Sequence, residues 1–181
     1  LEQLSQLSLQ KNVLVTDVGS TKMEIMTFAK DQPYDFIGGH PMAGSHLTGV
    51  KAGRSDLFSG AYYFLVGPFD TQAAKQLRGL LAGLNVKWLT VSAQEHDLIV
   101  AQISHVPHVI AAALVNQTKD ALTDLPGGMK LAAVGFKSVT RIAASDPTMW
   151  CAIMASNREN ISQQLDDYIQ ALSKARKAID N

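Results

Sequence analysis

Alternating strand-like and helix-like patterns run through the first half of the chain. Short apolar runs rich in β-branched and aromatic residues are typical of buried strands, and apolar residues three or four positions apart are typical of helices. These patterns predict strands at residues 13–16, 36–37, 62–66 and 86–91, and helices that end near Leu9 and that span 22–29 and 71–84, the last capped by Thr71. The alternation indicates an α/β sheet whose early strands are buried.

The second half of the chain has a helical pattern throughout. Ser92 and Glu95 form a capping box, in which each side chain satisfies the other residue's backbone amide, so a long helix is expected to begin there. That helix is apolar on more than one face, which is typical of a helix buried within an assembly, and Pro107 is expected to kink it. An Asp-Pro pair at 146–147 predicts another helix start, and an apolar stripe over 157–179 predicts a long amphipathic helix.

The change from an alternating to a helical pattern falls near Val91. We therefore predict two domains, residues 1–91 and residues 92–181. The expected fold class is α/β followed by all-α.

Composition narrows the class of protein and of partner. With 181 residues, 46% of them hydrophobic and 18% charged, the chain is long enough to bury a core. The 16 basic and 16 acidic side chains balance, so no overall charge favours nucleic acid or an anionic membrane. The single cysteine excludes an internal disulfide and fits a reducing compartment. No apolar run is expected to reach the length of a membrane span, and the N-terminus lacks the features of a signal peptide. We expect a cytoplasmic protein without a nucleic-acid or membrane partner.

Residues 36–46 are the strongest candidate for a functional segment. They read Phe-Ile-Gly-Gly-His-Pro-Met-Ala-Gly-Ser-His, which is expected to hold His40 at a strand end, in a glycine-rich turn that a ligand can approach closely. Ser20 follows the preceding strand and is placed to hydrogen-bond and orient this imidazole, whose intrinsic pKa suits proton transfer near neutrality. The turn alone leaves two interpretations open: a proton-transfer group, or a histidine that only satisfies the hydrogen bonds of its turn.

Other polar residues also have more than one interpretation. The segment 20–22, which ends in Lys22, opens a helix where free amides and a lysine favour an anion, and a plain helix cap is the alternative. His105 and His108 lie three residues apart on a predicted helix, but no cysteine or suitably spaced carboxylate completes a metal site, so we expect no metal. Each histidine either binds a polar substrate group or is a satisfied core residue. Arg141 has mostly apolar neighbours and is expected to pair with a carboxylate of the protein or of a ligand.

Four blocks of the sequence resemble the prephenate dehydrogenase family, which includes the arogenate dehydrogenases of tyrosine biosynthesis. The blocks are residues 15–22, 38–46, 104–108 and 136–150, in the family's order and roughly its spacing, and they cover nearly the whole chain. The resemblance implies the C-terminal part of a Rossmann-like dinucleotide-binding domain, followed by a helical domain through which two subunits form a homodimer.

The resemblance also implies an activity, the oxidative decarboxylation of prephenate to 4-hydroxyphenylpyruvate with NAD or NADP. His40 matches the catalytic histidine that takes the proton of the ring hydroxyl, and Ser20 matches the serine that orients it near the nicotinamide. Hydride leaves the carbon that carries the hydroxyl, and loss of the ring carboxylate as carbon dioxide makes the ring aromatic. Ser20 and Lys22 are the implied cofactor contacts. Arogenate is the alternative substrate.

Five residues match the substrate-binding positions of the family. Arg141 matches the arginine that pairs with a substrate carboxylate, and His108 matches a substrate-binding histidine, with His105 as its neighbour in the motif. Ser45 and His46 fall where some members have threonine and glutamate. The resemblance therefore implies a small-molecule substrate, prephenate or arogenate, bound by these residues.

The family's Gly-x-Gly-x-x-Gly turn, which cradles the cofactor pyrophosphate, does not occur in this sequence. The sequence therefore resembles an N-terminally truncated dehydrogenase, which on its own is expected to bind cofactor weakly and to be inactive. Two alternatives stay open: an inactive helical dimerisation module, and a hydrolase with Ser20 as nucleophile and His40 as base. The hydrolase is disfavoured because no Gly-x-Ser-x-Gly elbow occurs and no acid is evident behind the histidine.

Overall fold

The structure is a computed structural model, and it describes residues 2–9, 13–44, 49 and 53–180. The chain divides into two compact units, Leu1–Ile99 and Val100–Asn181. This division lies later in the chain than the domain boundary expected at residue 91. Each unit has its own cluster of buried apolar side chains. The expected fold class, α/β followed by all-α, is confirmed.

Unit 1 contains a four-stranded mixed sheet with helices between the strands. The sheet order follows the chain, and its neighbours are parallel (β1 with β2), antiparallel (β2 with β3) and parallel (β3 with β4). The predicted strands are confirmed, but β1 has no buried residue, so the expectation that the early strands are buried is wrong for β1, and the first helix is shorter than expected. The elements are α1 Glu2–Ser5, β1 Leu14–Thr16, α2 Met23–Ala29, β2 Asp35–Pro41, β3 Tyr62–Val66, α3 Gln72–Leu80, a 3₁₀ turn Ala82–Leu84, β4 Lys87–Val91 and α4 Ala93–Val100.

The core of unit 1 lies between the sheet and α3. Ile37 of β2 and Leu65 of β3 are almost fully buried and pack with Leu77 of α3. Four successive residues are buried in β2 and again in β3, which is typical of central strands covered on both faces. As predicted, Thr71 caps α3: its hydroxyl oxygen accepts a hydrogen bond from the amide of Ala74 at 3.2 Å.

Strand β2 continues through the glycine pair that the sequence placed in a turn. Gly38 and Gly39 pair with β3, and neither has a positive φ. The expectation of a glycine-rich turn around His40 is therefore wrong at these two positions. His40 itself is the penultimate residue of β2, which ends at Pro41, so its expected place at a strand end is confirmed.

Close packing explains the two glycines. A Cβ atom on Gly38 would lie 2.9 Å from the Sδ atom of Met26. One on Gly39 would lie 2.5 Å from the carbonyl oxygen of Asp17 and 2.6 Å from the Oη atom of Tyr63. Real Cβ atoms do not approach a backbone carbonyl so closely, so Gly39 requires the absence of a side chain rather than unusual backbone angles, whereas at Gly38 the flexible Met26 side chain can shift.

Unit 2 is helical. A π-helical segment, Ala101–His105, precedes α5 Val106–Ala121, and Pro107, which cannot donate a helical hydrogen bond, is the second residue of α5. The irregularity expected at Pro107 thus takes the form of a π-helical segment. The remaining elements are a 3₁₀ turn Gly128–Leu131, α6 Val134–Thr140, a 3₁₀ turn Arg141–Ala144, α7 Pro147–Ser156 and α8 Arg158–Ile179.

The helix starts predicted in the second half are confirmed. The backbone amide of Ser92 donates to a Glu95 carboxylate oxygen at 2.8 Å, and the amide of Glu95 donates to the Ser92 hydroxyl at 3.1 Å, which is the capping box that begins α4. Asp146 caps α7 by accepting from the amide of Met149 at 3.0 Å. Helix α8 is amphipathic as expected.

The core of unit 2 covers only part of α8. Ile161 of α8 packs with Ala101 and Val106, whereas Ile169 and Leu172, further along the same helix, are exposed. The apolar stripe of α8 is therefore only partly buried within the chain.

One stretch of the described chain, Ala93–Ala121, is helical and is long and apolar enough to cross a membrane by length and composition. The expectation that no apolar run reaches that length is therefore wrong. Only 33% of the most apolar part of this stretch is buried. A core helix of a soluble protein meets the same criterion, so this helix is weak support for a membrane span.

Substitution of Gly39 by alanine is expected to destabilise unit 1 by about 1–3 kcal/mol, because the new methyl group overlaps the Asp17 carbonyl and the Tyr63 hydroxyl. Denaturant unfolding followed by circular dichroism measures the change. The matched control is Gly79→Ala in α3, where a Cβ meets no atom within 4 Å. This control is expected to be neutral or to stabilise by up to about 1 kcal/mol, because alanine has the higher helix propensity. Equal effects of the two substitutions would contradict the packing explanation.

Candidate functional site

Three polar side chains form a hydrogen-bonded series at the end of β2 in unit 1. His40 Nδ1 lies 2.9 Å from His96 Nε2, and His96 Nδ1 lies 2.7 Å from Asp97 Oδ1. His96 is 0% exposed and Asp97 is 1% exposed, whereas His40 is half-buried. Both buried residues lie in the first turns of α4, so the capping box that fixes the start of α4 also fixes their positions.

The Asp97 carboxylate also caps α2. Its Oδ1 atom accepts from the amide of Lys22 at 2.7 Å, and its Oδ2 atom accepts from the amide of Met23 at 2.9 Å. The first amides of a helix have no intrahelical partner and carry a partial positive charge, so they favour an anion. Burial by itself would raise the pKa of Asp97, but the hydrogen bonds from His96, Met23 and Lys22 outweigh it and lower the pKa. The anion expected at this helix start is thus the chain's own carboxylate.

Lys22 has no hydrogen left for a cofactor. Its side chain is fully buried, and its ammonium group donates to Asp17 Oδ2 at 2.6 Å, to the Gly19 carbonyl at 2.7 Å and to the Thr21 carbonyl at 3.1 Å. Burial lowers the pKa of Lys22, and the neighbouring Asp17 charge acts in the opposite direction. An ammonium group has three donors, and these contacts use all of them. The structure therefore does not support the cofactor contact expected of Lys22.

Asp17 links the loop after β1 to β2. Its Oδ1 atom accepts from the amide of Gly39 at 3.0 Å, and its Oδ2 atom accepts from the amide of Gly19 at 2.8 Å. Burial raises the pKa of Tyr63, and the Asp17 charge raises it further. Because β1 and β2 are parallel, the loop that carries Ser20 and the end of β2 that carries His40 both lie at the carboxyl ends of these strands.

The contact expected between Ser20 and His40 is not found. Among the hydrogen bonds of the described residues, none joins the two side chains, and the described partner of the His40 ring is His96. Ser20 lies in a bend four positions beyond the end of β1, whereas His96 comes from α4, the helix that follows β4. The histidine is therefore oriented by a residue that the sequence analysis did not select.

In unit 2, His108 and Trp150 form a stacked pair. Their ring centroids are 3.6 Å apart with an interplanar angle of 6°. His108 is 5% exposed, and its burial lowers its pKa. Within the part of the chain that the structure describes, His108 Nδ1 and Trp150 Nε1 are buried and have no hydrogen-bond partner. Buried polar atoms are normally hydrogen-bonded, so this pair suits contact with a ligand.

The other substrate-binding candidates of unit 2 have different surroundings. His105 is buried, and its Nδ1 atom lies 3.2 Å from the side-chain amide nitrogen of Asn157, which identifies it as a hydrogen-bonded core residue. Arg141 is exposed and forms no ion pair with any described residue, so a carboxylate partner is not found within the described chain, and its pairing with a ligand carboxylate stays a prediction. Ser45 and His46 lie outside the described residues.

Among the described residues, no group of three or more histidine, cysteine, aspartate or glutamate side chains is arranged to hold a metal.

The sequence analysis missed His96 and Asp97. The available signal was the His-Asp pair that immediately follows the capping box of Ser92 and Glu95. Successive side chains of a helix point in different directions, so these two residues can contact different neighbours. The hydrolase alternative had lacked an acid behind His40, and Asp97 reaches His40 only through His96. That alternative still has no support, because its proposed nucleophile, Ser20, makes no hydrogen bond with His40 among the described residues.

The fold and the site define a class: two-domain proteins whose α/β part binds a nucleotide at the carboxyl ends of its parallel strands. Two family models match the chain, one over each half. Residues 1–90 match the model described as prephenate dehydrogenase, nucleotide-binding domain, and residues 92–181 match the model described as prephenate dehydrogenase, dimerization domain. The chain belongs to the prephenate dehydrogenase family.

Individual relatives agree with this assignment. The chain is 40% identical over 185 residues to the prephenate dehydrogenase of Bacillus subtilis, covering 99% of this chain and 50% of the relative. Its fold is similar to the prephenate dehydrogenase of Aquifex aeolicus solved with hydroxyphenyl propionate and NAD⁺, with a TM-score of 0.89, 30% identity, and coverage of 98% and 63% of the two chains. It is also similar to Synechocystis arogenate dehydrogenase, with a TM-score of 0.79, 32% identity, and coverage of 93% and 62%.

The family resemblance inferred from four sequence blocks is thereby confirmed, as is the fold of a nucleotide-binding domain followed by a helical domain. The chain spans about half the length of the curated relatives that it matches.

Asp97→Asn is expected to destabilise unit 1 by about 1–3 kcal/mol near neutral pH, because it removes the charge from a buried acceptor of three hydrogen bonds. The lowered pKa of Asp97 means that its stabilisation is complete above the ordinary value of 3.8 and is lost as the pH falls through the lower folded value. The difference between wild type and variant should therefore shrink in acid.

Denaturant unfolding between about pH 7 and pH 3 measures this difference. The matched control is Asp70→Asn, which removes a carboxylate whose partner is the exposed ammonium of Lys75 at 3.2 Å. Surface pairs of this kind contribute about 0–1 kcal/mol, so little change is expected at any pH. A constant difference for Asp97→Asn across the whole range would contradict the assignment of an ionised cap.

Proposed function

We propose that the full-length protein, of which this sequence is at least a part, is an NAD- or NADP-dependent prephenate dehydrogenase. The observation that carries this proposal is the position of His40, which is oriented by a buried histidine and carboxylate at the carboxyl edge of β1 and β2. Both halves of the chain match prephenate dehydrogenase domains, so we assign His40 a role in dehydrogenase chemistry. The reaction converts prephenate to 4-hydroxyphenylpyruvate, carbon dioxide and the reduced nicotinamide.

The described residues fit one end of a dinucleotide. Ser20 and the loop that Asp17 anchors lie at the sheet edge where nucleotides bind in open α/β folds, so the nicotinamide end is proposed to lie there. The pyrophosphate end has no counterpart in this sequence, since it lacks the glycine-rich turn and Lys22 has no donor left. When bound, the cofactor accepts a hydride from the ring carbon that carries the hydroxyl.

His40 performs the proton transfer in this proposal. Its imidazole accepts the hydroxyl proton of the substrate as the carbonyl bond forms at the same carbon. The bond from the ring to its carboxylate then breaks, and the electron pair enters the ring, which becomes aromatic as carbon dioxide leaves. The phenolate oxygen takes the proton back from His40. Formation of an aromatic ring makes the overall reaction strongly favourable.

Substrate binding is assigned to residues of unit 2. The buried, unpartnered Nδ1 atom of His108 and the Nε1 atom of Trp150 supply polar contacts, and the exposed guanidinium of Arg141 is available to a carboxylate. Ser45 and His46 remain further candidates, whereas the contact of His105 with Asn157 supports a core role for that histidine. Arogenate is the alternative substrate, a choice favoured by the similarity to Synechocystis arogenate dehydrogenase.

We also infer a homodimer formed through the helical unit. Support comes from the match of residues 92–181 to a dimerization domain and from the exposed apolar side chains of Ile169, Leu172 and Ile179 on α8. The balanced charge and single cysteine support a cytoplasmic location.

The decisive assay uses the full-length protein, and it follows the absorbance of the reduced nicotinamide after mixing with prephenate or arogenate and with NAD or NADP. Reduction of the cofactor is expected with prephenate, together with release of carbon dioxide. Absence of reduction with all four combinations of substrate and cofactor would overturn the proposed function.

Two substitutions separate proton transfer from substrate binding. His40→Asn is expected to lower kcat by about 10²- to 10⁴-fold with little change in KM, because it removes the general base. Arg141→Ala is expected to raise KM first, because it removes a partner of the substrate carboxylate. The matched control is Arg158→Ala, an exposed arginine at the start of α8, which should behave as wild type. A large loss of kcat in Arg141→Ala with unchanged KM would contradict this division of roles.

A further inference from the structure

We propose that His96 and Asp97 are positioning residues that determine which nitrogen of His40 acts as the base, and that this nitrogen is Nε2. The two residues are referred to below as the His96–Asp97 pair. The consequence for catalysis rests on the proposed dehydrogenase function, whereas the state of the His40 ring follows from contacts within unit 1 alone.

The first step concerns Asp97. Its Oδ1 atom accepts from the amide of Lys22, and its Oδ2 atom accepts from the amide of Met23. A backbone amide only donates, so both oxygens act as acceptors, as in an ionised carboxylate. The contact of 2.7 Å between Asp97 Oδ1 and His96 Nδ1 therefore requires a hydrogen on His96 Nδ1.

The second step passes this constraint to His40. In the state where both imidazoles are neutral, each has one N–H group and one acceptor nitrogen, so His96, with its hydrogen on Nδ1, presents Nε2 as an acceptor. His96 Nε2 lies 2.9 Å from His40 Nδ1, which must then donate. Neutral His40 thus carries its hydrogen on Nδ1, and its basic lone pair is on Nε2. The carboxylate sets the direction of both hydrogen bonds.

The third step is geometric. His96 and Asp97 are almost completely buried, so water does not compete for their hydrogen bonds. The Phe64 ring contacts both imidazoles, with centroid distances of 4.8 Å to His96 and 6.2 Å to His40. The planes of Phe64 and His96 are almost perpendicular, at 82°. The His40 ring is therefore held by packing as well as by its hydrogen bond, and the direction of its Nε2 atom is fixed.

The fourth step concerns the charge that forms during the reaction. When His40 takes a proton, its Nδ1–H group still donates to His96 Nε2, and the Asp97 carboxylate lies directly behind. The negative charge stabilises the imidazolium and makes His40 a stronger base. The other described titratable groups around the site are the Asp17–Lys22 ion pair, whose charges offset each other, and Tyr63 on β3, whose raised pKa keeps it neutral. Loss of the His96–Asp97 pair is therefore expected to weaken the base.

Nitrogen NMR of the histidine rings tests the proposal without substrate or cofactor. With ¹⁵N-labelled histidine, and at a pH where the His40 and His96 rings are both neutral, the wild-type chain should show a protonated Nδ1 and an unprotonated Nε2 at His40. Asp97→Asn should replace this single tautomer by a mixture, because an asparagine side chain can either donate or accept. A wild-type His40 with its hydrogen on Nε2 would overturn the proposal.

Steady-state kinetics test the consequence for catalysis. His96→Gln is expected to lower kcat by about 10²-fold, at the lower end of general acid–base contributions, while KM changes little. The acid limb of the pH profile of kcat/KM should move to lower pH, because a weaker base stays unprotonated further into acid. A residue with only a structural role would not move this limb.

The matched control is Glu95→Gln, which removes a negative charge from the same turn of α4 and keeps a residue that can complete the capping box. This variant should retain the wild-type kcat and pH profile. Wild-type kcat and an unmoved acid limb in both His96→Gln and Asp97→Asn would overturn the proposal. If the wild-type protein reduces neither cofactor with either substrate, the proposed function fails, and the NMR result alone decides the state of His40.

Discussion

The Asp97 carboxylate is the constraint on which the arrangement of unit 1 depends. A charged group without solvent contact is tolerated only when its acceptor sites are filled, and Asp97 fills them with two backbone amides of α2 and with the ring of His96. A single side chain thus connects the start of one helix, the first turns of another and, through His96, the end of β2. The position of His40 follows from the need to satisfy a buried charge.

A second buried charge constrains the same edge of the sheet. The Lys22 ammonium is surrounded by Asp17 and two carbonyl oxygens, and Asp17 in turn accepts from the amide of Gly39. Buried ion pairs of this kind add little net stability, because desolvation offsets their attraction, but removal of one partner is strongly destabilising. Their effect here is geometric: the loop after β1 and the strand that carries His40 are held together at a fixed distance. A site that transfers a proton and a hydride at one carbon requires such precision.

The features predicted correctly from sequence are those determined by near neighbours in the chain. Thr71, the capping box at Ser92 and the apolar run of β3 each contain their whole signal within a few residues. The glycine pair of β2 was assigned to a turn because a local pattern does not distinguish freedom of φ from close packing against Tyr63. His96 was missed because its contact with His40 joins residues 56 positions apart, and Asp97 because its contact with Lys22 joins residues 75 positions apart. The family resemblance identified His40, but only the tertiary contacts identify what orients it.

The exposed second half of α8 makes part of this fold sensitive to its surroundings. Residues 171–179 are all exposed, so these turns are held by helical hydrogen bonds with little tertiary packing. A helical segment of that length is marginal in water when nothing packs against it. If a second copy of the chain covers the exposed apolar stripe of α8, the free energy of local unfolding of these turns depends on protein concentration through mass action. Amide exchange along α8 would then report on assembly: slow near Ile161 at any dilution, and slow near Ile179 only when the copies are paired.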